Sequence, residues 1–95
     1  MTSKQRAYLR KLANPLAPIL QAGKQGAAPE LTAALDEALG ARELVKVSVL
    51  NNCPQTPAEV ADALGSRTRS ECVQVIGKKI VFYRASKNKP VIKLP

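Results

Sequence analysis

Apolar positions along the chain change period several times, and each change marks an element. Tyr8, Leu9 and Leu12 share one arc at about 100° per residue, with Arg6 and Arg10 on one flank and Lys4 and Lys11 on the other. Thr2-Ser3-Lys4-Gln5 has the form of a capping box at the start of that helix, and Pro15 ends it. Ala17 to Ala22 follows as a short strand, with Pro18 suited to a sheet edge or a strand start. Leu31, Leu35 and Leu39 recur every four residues in a second helix, opened by Pro29 and expected to stop at Gly40.

Strict alternation then takes over. Val45, Val47 and Val49 point to one face of a strand from Leu44 to Leu50, and Leu44, Lys46, Ser48 and Leu50 to the other. Thr56-Pro57-Ala58-Glu59 is a second capping box, opening a helix through Val60, Ala61 and Leu64 that Gly65 is expected to close. Glu71 to Ile76 and Lys79 to Arg84 are strand-like runs joined by Gly77-Lys78, which predicts a two-residue hairpin with glycine first. Ser86 to Pro90 reads as a polar loop, and Val91 to Leu94 as a short edge segment.

The resulting order is α-β-α-β-α-β-β in one domain, residues 1–95: an α/β chain of the α+β two-layer kind with a mixed four-stranded sheet. The first two strands are connected through a helix and should run parallel; the last two form an antiparallel hairpin. Connections leaving the carboxyl ends of parallel strands emerge along one rim, where ligands tend to bind. Gly23-Lys24-Gln25-Gly26, Asn51-Asn52 and Gly77-Lys78-Lys79 should share that rim. Arg42, Arg67 and Arg69 should lie at the opposite one, in weaker or structural roles.

Charge sharpens this picture. Fifteen Lys and Arg against seven Asp and Glu leave +8, the signature of a polyanionic partner. Residues 1–29 carry Lys4, Arg6, Arg10, Lys11 and Lys24 without an acid; residues 72–95 carry Lys78, Lys79, Arg84, Lys87, Lys89 and Lys93, again without one. Cations gathered at the two ends imply basic surfaces rather than a uniform coat. Gly23 and Gly26 let a backbone approach a ligand, Lys24 supplies the charge, and the amides opening the next helix add to the same place. A plain strand-to-helix connection would use the same residues.

Other chemistry finds little support. The chain has no histidine, its acids form no evident pair, and Lys24 is followed by Gln25 where a nucleotide-binding P-loop requires Ser or Thr. No catalytic residue, metal site or cofactor is expected. Cys53 and Cys72 lack metal-ligand or redox spacing and read as reduced thiols of a cytoplasmic protein. No run approaches a membrane span, and the N-terminus lacks the apolar core of a signal peptide. Aromatics make up 3% of residues, so stacking on many rings is not expected and base selectivity should be modest.

Four stretches together resemble the CRM domain (chloroplast RNA splicing and ribosome maturation) in its bacterial stand-alone, YhbY-type form. They are Thr2 to Leu12, the Gly23-Lys24-Gln25-Gly26 turn, Arg42-Glu43-Leu44-Val45-Lys46-Val47, and Val75-Ile76-Gly77 followed by Phe82-Tyr83-Arg84. The resemblance implies a fold like the C-terminal domain of initiation factor three and a role with ribosomal RNA in precursors of the large ribosomal subunit. It also implies RNA contact through the GxxG loop and its basic surroundings. KH domains hold a nucleic-acid backbone with an analogous loop.

The leading expectation is a non-catalytic, monomeric RNA-binding protein assisting ribosome assembly. Gly23, Lys24, Gln25 and Gly26 would form the contact loop, and Lys4, Arg6, Arg10, Lys11, Lys78, Lys79 and Arg84 the basic track. The alternative is a basic adaptor that meets acidic protein or an anionic membrane through its first helix.

Overall fold

A computed structural model describes residues 1–87 and 90–95. The elements are α1 (Ser3–Ala13), β1 (Leu20–Ala22), α2 (Pro29–Arg42), β2 (Leu44–Val49), α3 (Pro57–Thr68), β3 (Glu71–Ile76) and β4 (Lys79–Tyr83). The strands order as β1-β2-β4-β3, with β1 parallel to β2 and β4 antiparallel to both β2 and β3. Three strands therefore point the same way and one returns, which is the mixed sheet expected from the connections. Pro18 precedes an edge strand, as its missing N–H requires.

Both capping boxes form. Thr2 Oγ1 accepts from the Gln5 amide and Gln5 Oε1 from the Thr2 amide, at 3.1 Å each. Thr56 and Glu59 repeat the exchange at 3.2 and 2.9 Å. The hairpin turns through Gly77 at φ +58°, the positive φ that a glycine-first turn requires.

The strand alternation sorts two cores. Val45, Val47, Val49, Ile80 and Phe82 face Leu35, Leu39, Val60 and Leu64 of α2 and α3. Leu44, Val73, Val81 and Tyr83 face Leu9 and Ala13 of α1, with Ile92 and Leu94 alongside. The sheet is thus covered on both faces, and the expected two layers become three. Leu44, Val81 and Tyr83 are the reason: a lone apolar arc on α1 has nowhere else to bury, and these side chains leave the sheet on the face away from α2 and α3.

Several expected boundaries move, β2 and β4 each by one residue at the end. Gly40 and Gly65 do not stop their helices, which run on to Arg42 and Thr68 and end in Glu43 at φ +65° and Arg69 at φ +56°. Gly65 lies inside α3, where a Cβ would make ordinary contacts at 3.5 Å to the Ser70 carbonyl oxygen and 3.9 Å to Phe82. β1 shrinks to Leu20–Ala22, although the Ile19 amide already donates to the Lys46 carbonyl at 3.1 Å. Residues 91–95 form no strand. The expected loop over 86–90 includes Asn88 and Lys89, which lie outside the described residues.

Glu43 explains what holds the tail. It is fully buried, its carbonyl accepts the Arg84 amide at 2.9 Å, and its carboxylate accepts the amides of Ser86, Val91 and Ile92 at 2.6, 2.5 and 2.8 Å. Burial pushes this carboxyl upward, but the three backbone N–H groups together outweigh it and hold it below its ordinary value of 4.5. A depressed carboxyl contributes stability above the unfolded value, lost as pH falls through the folded one. Hydrogen exchange at the Val91 and Ile92 amides should therefore lose protection as pH falls from about 4.5 downward. Glu43→Gln should abolish that pH dependence; an unchanged profile in the variant would assign the loss to another group.

Candidate nucleic-acid interface

The loop after β1 is a tight turn. The Gly26 amide donates to the Gly23 carbonyl at 2.9 Å, Lys24 and Gln25 form the exposed tip, and Gly26 takes φ +63° in the fourth position. Negative φ at the two central residues with glycine following is the type I preference. The Ala27 amide donates to Gln55 Oε1 at 2.8 Å, and Arg67 Nη1 to the Ala27 carbonyl, so the loop's exit is pinned by α3 and the residue pair preceding it.

Two of the amides that a bound phosphate could use are therefore already committed within the chain. The tip and the opening of α2 are left. Ala28 is the N-cap of α2 and gives no side-chain cap, and Pro29 occupies the first turn. Amides at an uncapped N-terminus keep their affinity for anions. A shallow groove joins this helix start to Gly23, Lys24, Gln25 and Gly26, with Glu30 as the acid on its edge.

The other two connections meet it along the same rim. The Leu50 amide donates to the Ala22 carbonyl at 2.8 Å, and the Val49 amide to the Lys78 carbonyl at 2.7 Å. Lys78 Nζ bonds to Asn51 Oδ1. Gly23 packs beside Leu50 and Asn52, to which a Cβ would come within 3.5 and 3.6 Å. Two to three strand spacings separate the loop from the hairpin turn, roughly 12 Å. Exposed Lys24, Lys78 and Lys79 thus share one end of the sheet.

The remaining cations of the expected track lie elsewhere. Exposed Lys4, Arg10 and Lys11 sit on α1, which packs on Leu44, Val81 and Tyr83, at the half of the sheet away from the loop. Arg6 is tied into the fold, donating to the carbonyls of Cys72 and Val73 at 2.7 and 3.2 Å and pairing with Glu71 at 3.5 Å. Those carbonyls flank a register shift between Cys72 and Gln74, where the ladder to β4 is interrupted. Arg84 is tied likewise: it pairs with Asp36 at 2.6 Å and donates to the carbonyls of Asp36 and Thr68 at 2.9 and 2.8 Å, at the far rim. The eleven residues divide into a loop rim, a helix patch and two internal ties.

Sequence reasoning missed Gln55. Nothing in its surroundings but its place before the Thr56 cap marks it, because its partner lies 28 positions away. Gly26 is the other half of that contact, since a Cβ on it would stand 2.5 Å from Gln55 Oε1. Gly26→Ala should destabilise the fold by about 1–2 kcal/mol, from the positive φ and the displaced Gln55, as read by urea denaturation. Unchanged stability would show that the loop does not need this glycine.

Burial raises the Cys72 thiol more than the Gln74 amide and the Arg6 charge lower it, so it stays protonated near neutral pH. Among the described residues no group of three or more His, Cys, Asp and Glu could hold a metal ion, and no helix is long and apolar enough to cross a membrane.

A mixed sheet carrying a glycine-lysine turn and further lysines on one rim defines a small α/β domain suited to an anionic chain. The particular family follows from comparison: the CRS1/YhbY (CRM) domain model matches residues 1–84, and the chain belongs to that family. It is 47% identical to the probable RNA-binding protein YqeI of Bacillus subtilis, over 100% of this chain and 99% of that one. An RNA-binding protein of Haemophilus influenzae is 33% identical, over 90% of this chain and 87% of its own length. The solution structure of a hypothetical protein of Staphylococcus aureus, described as a candidate RNA-binding protein, superposes with a TM-score of 0.84 at 47% identity, covering 100% of this chain and 99% of that one.

Proposed function

We propose that this protein is a non-catalytic RNA-binding module whose contact surface is the rim formed by Gly23, Lys24, Gln25, Gly26, Lys78 and Lys79. The observation that carries the reading is the convergence of three connections on one end of the sheet, with exposed lysines beside an uncapped helix start. Phosphate lies against backbone amides at the loop tip and α2, and the lysines neutralise its neighbours. Lys4, Arg10 and Lys11 extend the basic surface along α1, while Arg6 and Arg84 hold the scaffold and add only their field. The family and the names of its relatives favour RNA as the polyanion.

The RNA is ribosomal, in precursors of the large subunit, and the protein acts in the cytoplasm as a monomer. Crosslinking in cells followed by sequencing of the attached RNA tests this. Enrichment of large-subunit precursors is expected, and a profile dominated by messenger or transfer RNA would overturn the ribosomal assignment.

A further inference from the structure

At the rim opposite the glycine loop, the ends of α2, α3 and β4 enclose a second concavity, a cleft of about 590 Å³. Arg67, Arg69, Arg84 and Lys87 line it, and among the described residues Asp36 is the one acid on its walls. Asp36 is paired with Arg84, so that couple is neutral as a unit. Arg67 forms the wall nearest the loop, its guanidinium donating to the Ala27 carbonyl and lying 3.4 Å from the Thr32 hydroxyl. Arg69 and Lys87 are exposed. The exposed cations the cleft keeps for a ligand are therefore Arg69 and Lys87, on walls built from helix ends and a strand end, and a guanidinium fork suits phosphate oxygens.

Arg69 adds a separate argument. It closes α3 at φ +56°, ψ +41°, with its amide donating to the carbonyls of Gly65 and Ser66. At this left-handed position glycine has no steric cost and is the usual occupant, whereas the Cβ of any other residue crowds the neighbouring carbonyl. Glycine can therefore replace this arginine without backbone cost, which separates loss of its charge from loss of structure.

We infer that this cleft binds a phosphodiester of the same RNA at a segment remote from the one held by the loop, so that the protein touches its partner at both ends of the sheet. The inference rests on the RNA reading above. The six residues of β2 place the two rims about 20 Å apart, roughly the run of six stacked nucleotides at ~3.4 Å each.

Binding of a 12-nucleotide single-stranded oligouridylate, followed by fluorescence anisotropy across a KCl series, tests it. Arg69→Gly should weaken binding about three- to tenfold and flatten the salt dependence by about 0.7 in slope, one phosphate's share on a single strand. The same variant should melt no lower than the parent, because glycine relieves the backbone. A loss of affinity without a loss of stability is what a structural role cannot produce. Lys87→Glu should weaken binding too, and Arg69→Gly should multiply with Lys24→Glu. Parental affinity and slope in both Arg69→Gly and Lys87→Glu, with Lys24→Glu impaired, would overturn the cleft and leave the loop. Impairment in Arg69→Gly with Lys24→Glu silent would remove the loop and overturn contact at both ends of the sheet. Amide shifts at Arg69 and Lys87 on adding pyrophosphate, with no change in RNA binding in either variant, would mark an adventitious ion only and overturn the inference.

Discussion

Glu43→Ala should cost the fold about 3 kcal/mol and release the segment after β4, an effect larger than that of any surface substitution. The carboxylate is buried and accepts three backbone amides from residues 86, 91 and 92, which become unsatisfied together when it is removed. A domain of this size loses about 4–8 °C per kcal/mol, so the melting temperature should fall by more than 10 °C. Protection at the Val91 and Ile92 amides should vanish in the same variant. Glu43→Gln should fall between, because the amide keeps one good acceptor while its NH2 faces donors. A melting temperature in Glu43→Ala within a degree or two of the parent would mean that the tail is not held by this carboxylate.

The second large effect is on binding. Lys24→Glu together with Lys78→Glu reverses two exposed charges on one rim, and affinity for a structured ribosomal RNA fragment should drop by at least tenfold near 0.1 M salt. Each lost phosphate contact lowers the steepness of the salt dependence by about 0.7–0.9. Both lysines are exposed, so thermal stability should move by no more than about 0.5 kcal/mol. The single change Lys24→Glu should account for about a kcal/mol or more of the loss, since its lysine is at the tip of the turn. Equal affinity and an unchanged slope in the double variant would remove this rim from the interface. Competition distinguishes the adaptor reading: anionic vesicles or polyglutamate displacing the RNA at equal charge concentration would move the contact to α1.

The divide between loop rim and scaffold shows how far residues reveal their own placement. The placement of Lys24 and Lys78 on one rim was legible because chain direction alone delivers the end of each parallel strand to one edge. Arg6 and Arg84 look the same in composition, yet each is drawn inward by carbonyls on elements far along the chain. Gly40 and Gly65 read as helix ends by local preference, but tertiary packing favours continued helix, and the stops fall on Glu43 and Arg69 at positive φ. Arg69 was expected to be minor or structural; its setting in a basic cleft appears only when α2, α3 and β4 come together.

Local sequence by itself determined the helix starts, the hairpin turn, the alternation of β2 and the parallel or antiparallel sense of each connection. These depend on side chains within a few residues of each other and on the handedness of the backbone. Only the tertiary structure decided that α1 covers the second face of the sheet, that a buried glutamate anchors the tail, and which cations remain for a ligand. Those outcomes depend on which buried polar group finds a partner across tens of residues, and desolvation makes an unpartnered one costly enough to settle the choice.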